Sequence, residues 1–87
     1  MKVKKGFVLR EVGGKTVVLA TGSAALSFNG MITLSDSGRF LWEQMEKDCT
    51  QDDLVAALLS TYDVDADVAR KDVHAFVSTM RQNELLD

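Results

Sequence analysis

An α+β fold of the winged helix-turn-helix type, a three-stranded antiparallel sheet followed by three helices, is predicted by three features of the sequence. Two runs rich in β-branched residues flank Gly13-Gly14. A third short run ends at Leu34. From Ser35 onward the apolar residues recur at helical spacing instead of alternating. With 87 residues, the chain fits one domain over 1–87 and one modest core.

The first strand is Phe7-Val8-Leu9-Arg10-Glu11-Val12 and the second is Lys15-Thr16-Val17-Val18-Leu19-Ala20. Gly13-Gly14 accepts the positive φ angles of a two-residue hairpin turn. That register sets Phe7, Leu9 and Glu11 opposite Ala20, Val18 and Thr16 on one face. Gly22 and Ser23 break the second strand. Ala24 to Phe28 fits either a short helical turn or an irregular apolar segment, and Asn29-Gly30 is a turn signal. Met31-Ile32-Thr33-Leu34 reads as the third strand.

Ser35 is placed to cap the first helix, which carries Phe40, Leu41, Trp42 and Met45 and is expected to end near Lys47. Thr50 caps the second. Asp52 and Asp53 suit the positive end of its dipole, and Cys49 and Leu54 hold the staple positions around the cap. Its apolar stripe is Leu54, Val55, Leu58, Leu59 and Tyr62. A short connection, Asp63-Val64, leads to a third helix capped at Asp65, with Val64 and Ala69 as its staple pair. Ala69, Val73, Phe76, Val77 and Met80 form its stripe, with an end near Asn83. Leu85 and Leu86 are expected to fold back on the core. Without proline, the helices run unbroken.

Composition narrows the function. At 46% hydrophobic and 26% charged, the chain reads as ordinary globular protein. No apolar run approaches the roughly 20 residues of a membrane helix, and the first residues lack the apolar stretch of a signal peptide. The single cysteine precludes an internal disulfide and suits a reducing cytoplasm. One Cys and one His are too few for a thiolate metal cage, and no cofactor is expected. The net charge of −3 disfavours phosphate backbones and anionic lipid as partners.

Catalysis needs a constellation, and none can be assembled. Nucleophile elbow, phosphate loop, zinc-protease motif and His-Cys pair are all missing. His74 sits away from the centre of its helix's apolar stripe and reads as a solvated rim residue. Cys49 reads as a small staple residue. Asp63, Asp65 and Asp67 alternate like the start of a calcium loop, but Val68 stands where that loop needs glycine, and helix capping explains them better. Phe40, Trp42 and Phe76 have the helical spacing of core aromatics. The domain is therefore expected not to be an enzyme.

The third strand carries the informative signal. Exposed sheet edges are usually blunted by charge or proline, and Met31-Ile32-Thr33-Leu34 contains neither. Such an edge is either covered by the chain or kept for an extended partner strand.

Blocks along nearly the whole chain, from Phe7 to Leu86, are similar to the pyrroloquinoline quinone synthesis protein D (PqqD-like) family. Ile32-Thr33-Leu34-Ser35-Asp36-Ser37-Gly38-Arg39-Phe40-Leu41-Trp42-Glu43 resembles its strand leucine, cap, acidic residue, small residue, Gly or Ala, and aromatic helix. Thr50-Gln51-Asp52-Asp53-Leu54-Val55 and Tyr62-Asp63-Val64-Asp65 resemble its second helix start and following turn. Asp72-Val73, Phe76-Val77 and Leu85-Leu86 resemble its last helix and tail. Asn83-Glu84 departs from the glycine the family often has before those leucines.

That resemblance implies a recognition element for ribosomally made, modified peptides. Such a domain binds the leader segment of a precursor peptide as a fourth strand and presents it to a modifying enzyme, often a radical S-adenosylmethionine enzyme. The implied edge is Gly30, Met31, Ile32, Thr33 and Leu34. The implied helix wall is Asp72, Val73, Phe76 and Val77, with Arg70 and His74 beside them. For Val73, Phe76 and Val77, plain core packing is an equally good reading. Two alternatives come from other classes. A DNA-binding winged helix would use Arg70, Lys71 and Arg81, against the acidic balance of the chain. A structural subunit would use the free edge to form a homodimer.

Overall fold

The computed structural model describes residues 1–26 and 31–87. Its order is β1 (Phe7–Val12), β2 (Lys15–Ala20), a 3-10 helix (Gly22–Leu26), β3 (Ile32–Leu34), α1 (Asp36–Gln44), α2 (Gln51–Thr61) and α3 (Ala66–Gln82). The expected α+β class holds, with one antiparallel sheet ordered β1-β2-β3 and the helices following it. The described part of the ambiguous stretch after β2 is the 3-10 helix. The turn expected at Asn29-Gly30 lies outside the described residues.

The hairpin forms in the expected register, with Phe7, Leu9 and Glu11 opposite Ala20, Val18 and Thr16. Gly13 and Gly14 both take positive φ, 59° and 78°, as a tight two-residue turn demands. Such a turn closes on a hydrogen-bonded pair, here Val12 and Lys15, and pairs then alternate along the ladder. The Thr21 amide donating to the Gly6 carbonyl at 2.6 Å continues that phase. Thr16 and Val18 therefore turn their main-chain groups toward β3, where they meet Leu34 and Ile32. Thr33, opposite Val17, directs its own amide and carbonyl away from the sheet.

The core lies between the sheet's inner face and the helices. α1 contributes Leu41 and Trp42, α2 contributes Leu54 and Leu58, and α3 contributes Ala69, Val73, Val77 and Met80. Leu85 and Leu86 close it as expected. Caps set where the helices begin. Ser35 Oγ accepts from the Gly38 amide at 3.2 Å. Thr50 and Asp53 form a reciprocal capping box, at 3.1 Å and 2.9 Å.

Several expectations need correction. α1 stops at Gln44, short of Lys47, with buried Met45 as its cap residue. Asp65 occupies the N-cap of α3, but its side chain makes no capping bond, and Asp67 pairs instead with Arg70 at 2.8 Å. Leu59 and Val64 are exposed, because the α2–α3 contact is satisfied by Leu54, Leu58 and Ala69. The N-terminal residues, assigned no element from sequence, are tied down. Val3 bridges Leu86, and the amide of Lys4 donates to Leu85.

The end of α3 explains the Asn83-Glu84 departure. The amide of Leu85 donates to Met80 and that of Glu84 to Arg81, the bond pair of a Schellman motif. Glu84 holds the left-handed position at φ 57°, where glycine is favoured. A left-handed L-residue costs about 1–2 kcal/mol, partly offset by the entropy glycine loses on folding. Glu84→Gly is therefore expected to raise stability by about 0.5–1 kcal/mol in urea denaturation, whereas Glu84→Ala gains nothing.

Candidate functional site

The sheet has two edges, and they differ in character. On β1, the hydrogen-bond phase turns Leu9 outward, and the Arg10 guanidinium donates to the Leu9 carbonyl at 3.0 Å. Beside it, Arg39 pairs with Glu11 at 3.4 Å. Charge thus blunts that edge. On β3, the outward groups belong to Thr33, and no charged residue stands between Met31 and Ser35. Among the described residues, the main chain of β3 makes no hydrogen bond beyond its ladder with β2.

Alongside that open edge runs a groove between β3 and α3. It comprises two adjoining clefts of about 230 Å³ each, which share Ser35, Gly38, Ala75 and Phe76. One cleft lies against Ile32, Leu34, Thr79 and Met80. The other lies against Ser37, Leu41 and Asp72. β3 makes its close backbone approaches to β2 and α1.

Gly38 floors the groove. A Cβ there would stand 3.4 Å from the Phe76 ring and 3.5 Å from the Leu34 Cβ, so any larger side chain would fill the gap between strand and helix. The i, i+3 and i+4 spacing of α3 brings Asp72, Ala75, Phe76 and Thr79 onto one face. Phe76 is half-buried, while Asp72, Ala75 and Thr79 are exposed. Among the described residues, Asp72 has no Lys or Arg at ion-pair distance.

The family model for coenzyme PQQ synthesis protein D (PqqD) matches residues 15–86. The chain belongs to the PqqD family. The match begins at β2 and leaves out β1, the edge that charge already blunts. No curated protein shows a significant match. Among solved structures, the chain is similar to TbiB1 in complex with the TbiA(beta) leader peptide. The two share 22% identity at a TM-score of 0.76, covering 100% of this chain and 95% of that one. It is also similar to a lasso peptide synthetase B1 complexed with the leader peptide. There the identity is 18% and the TM-score 0.72, over 97% and 93% of the two chains. At these identities the likeness is one of fold.

The PqqD fold sorts the residues singled out in the sequence. Ile32, Leu34 and Phe76 meet across the groove, with Thr33 and Asp72 at its sides. Met31 lies just before β3 and is 63% exposed. Gly30 lies outside the described residues. Val73 and Val77 are fully enclosed in the core and line neither cleft. His74 and Arg70 are exposed and line neither cleft; Arg70, needed for phosphate contact by a DNA-binding helix, is tied to Asp67. Sequence reasoning missed Ser35, Ser37, Gly38, Leu41, Ala75, Thr79 and Met80 as groove residues. Counting i+3, i+4 and i+7 from Asp72 along α3 would have found Ala75, Phe76 and Thr79.

Other chemistry candidates lie away from this groove. Burial pushes the Cys49 thiol upward, so it stays neutral at neutral pH and is not activated by the start of α2. The N-terminal ammonium, 2.7 Å away, holds the Asp48 carboxyl below its ordinary range. Asp63, Asp65 and Asp67 do not converge; among the described residues no cluster of His, Cys, Asp or Glu could hold a metal ion. No helix among these residues is long and apolar enough to cross a membrane.

Proposed function

We propose that this PqqD-family domain holds the leader segment of a ribosomally made precursor peptide as a fourth strand on β3, lying along α3. It presents that peptide to a modifying enzyme, such as a radical S-adenosylmethionine enzyme, in the cytoplasm. Residues 1–87 act as one binding unit, and the chemistry resides in the partner enzyme. The observation that carries this reading is the outward amide and carbonyl of Thr33 beside a groove walled by Ile32, Leu34 and Phe76. That both fold neighbours are complexes with leader peptides supports it.

In this reading, Met31 to Leu34 form the edge, and Asp72 and Phe76 form the wall. Val73 and Val77 belong to the core against which Phe76 packs, and Arg70 and His74 stay solvated. Magnitudes show where the affinity arises. Two edge hydrogen bonds contribute about 1 kcal/mol each, whereas a micromolar complex needs about 8 kcal/mol. Side chains of the peptide, buried in the groove at about 1.5–3 kcal/mol each, must supply the larger share.

Short random peptides displayed on phage, selected on the domain and then synthesised, supply a probe. Amide exchange of the complex should show new protection at Thr33. Protection confined to surfaces away from β3, or no peptide enriched at all, would sink the proposal.

A further inference from the structure

Resting on that fourth-strand reading, we infer that the bound segment carries an apolar side chain and a basic side chain two residues apart, on the face turned into the groove. Alternate residues of an extended chain point the same way, about 6.5–7 Å apart. The two adjoining clefts, meeting at Gly38 and Phe76, receive two such neighbours.

The clefts ask for different chemistry. The one against Ile32, Leu34, Phe76 and Met80 has no charged residue in its lining and takes a branched aliphatic or aromatic side chain. The other is bordered by the Asp72 carboxylate and by the hydroxyls of Ser35 and Ser37, which lie 3.3 Å apart. No Lys or Arg lines either cleft, and Asp72 has no cationic partner among the described residues. The start of α1 borders this cleft too, but Ser35 already occupies the Gly38 amide, which weakens its pull on an anion. A Lys or Arg side chain satisfies the free carboxylate and the serine acceptors together. Asp72 is then a specificity-determining residue that stability does not require, since it is exposed.

The same peptide selection, run in parallel on wild type and on Asp72→Arg, tests this. Peptides enriched on wild type should pair an apolar residue with Lys or Arg two positions away. On Asp72→Arg the apolar position should persist while Asp or Glu replaces the basic one. On Asp72→Asn the charge preference should vanish. An enriched peptide whose basic residue is changed to Glu should lose roughly three- to fivefold in affinity for wild type and regain it on Asp72→Arg. If both proteins enrich the same peptides without charge preference, and Thr33 is protected, the inference fails while the strand-addition reading stands. If no peptide is enriched, or Thr33 stays unprotected, both fail.

Discussion

Thr33→Pro should weaken binding of a selected peptide by about 2–3 kcal/mol, roughly thirty- to 150-fold, while the domain stays folded. Proline removes the one β3 amide that faces outward, and its ring fills the space where the added strand must approach. The peptide carbonyl that would have met that amide is left without a partner. The ladder with β2 is spared, because Ile32 and Leu34 carry its bonds, and an edge strand tolerates proline whose nitrogen faces solvent. Ile32→Pro acts differently. It deletes a bond to Val18, so it should lower stability as well as affinity. Lys47→Ala, at an exposed position beyond α1, should change neither. Anisotropy titration and circular dichroism on the three variants separate these outcomes. Equal affinity of wild type and Thr33→Pro would exclude strand addition at this edge.

Trp42→Ala should cost about 3–5 kcal/mol of stability, read from urea or thermal unfolding. Trp42, on α1, is the largest side chain enclosed in the core, at 2% exposure. A domain of this size has roughly 5–10 kcal/mol in total, so the loss would leave a measurable unfolded fraction at 37 °C. A smaller effect would mean that the surrounding side chains collapse into the vacated space. The contrast with Thr33→Pro is informative. One variant removes packing that holds the whole molecule, and the other removes a single main-chain donor used only by a partner.

Much of the fold was legible because its signals are local. Gly13-Gly14 fixes a turn, and the turn fixes the register of its flanking strands. The Thr50–Asp53 box and the Ser35 cap mark helix starts through side chains that reach only three residues along the chain. The unread features depend on contacts distant in sequence. The bridge between Val3 and Leu86 joins the two ends of the chain, and no local pattern announces it. Leu59 shares the spacing of Leu58, yet only the packing of α2 on α3 decides which of them is enclosed. Glu84 adopts a left-handed conformation that its identity disfavours, because Leu85 and Leu86 must turn back into the core.

The groove divides along the same line. By itself the sequence determined an uncharged third strand, the caps that start α1 and α2, and a family resemblance, since these rest on residue identity and short-range hydrogen bonding. Tertiary structure alone decided that Thr33 is the residue whose main chain faces outward, because that depends on the phase of a ladder begun at a distant turn. It alone decided that Phe76 and Asp72 border the groove while Val73 and Val77 vanish into the core. The physical reason is that one helix must divide its faces between the core and the groove. The angle at which α3 packs against the other elements sets that division, and sequence spacing leaves that angle open.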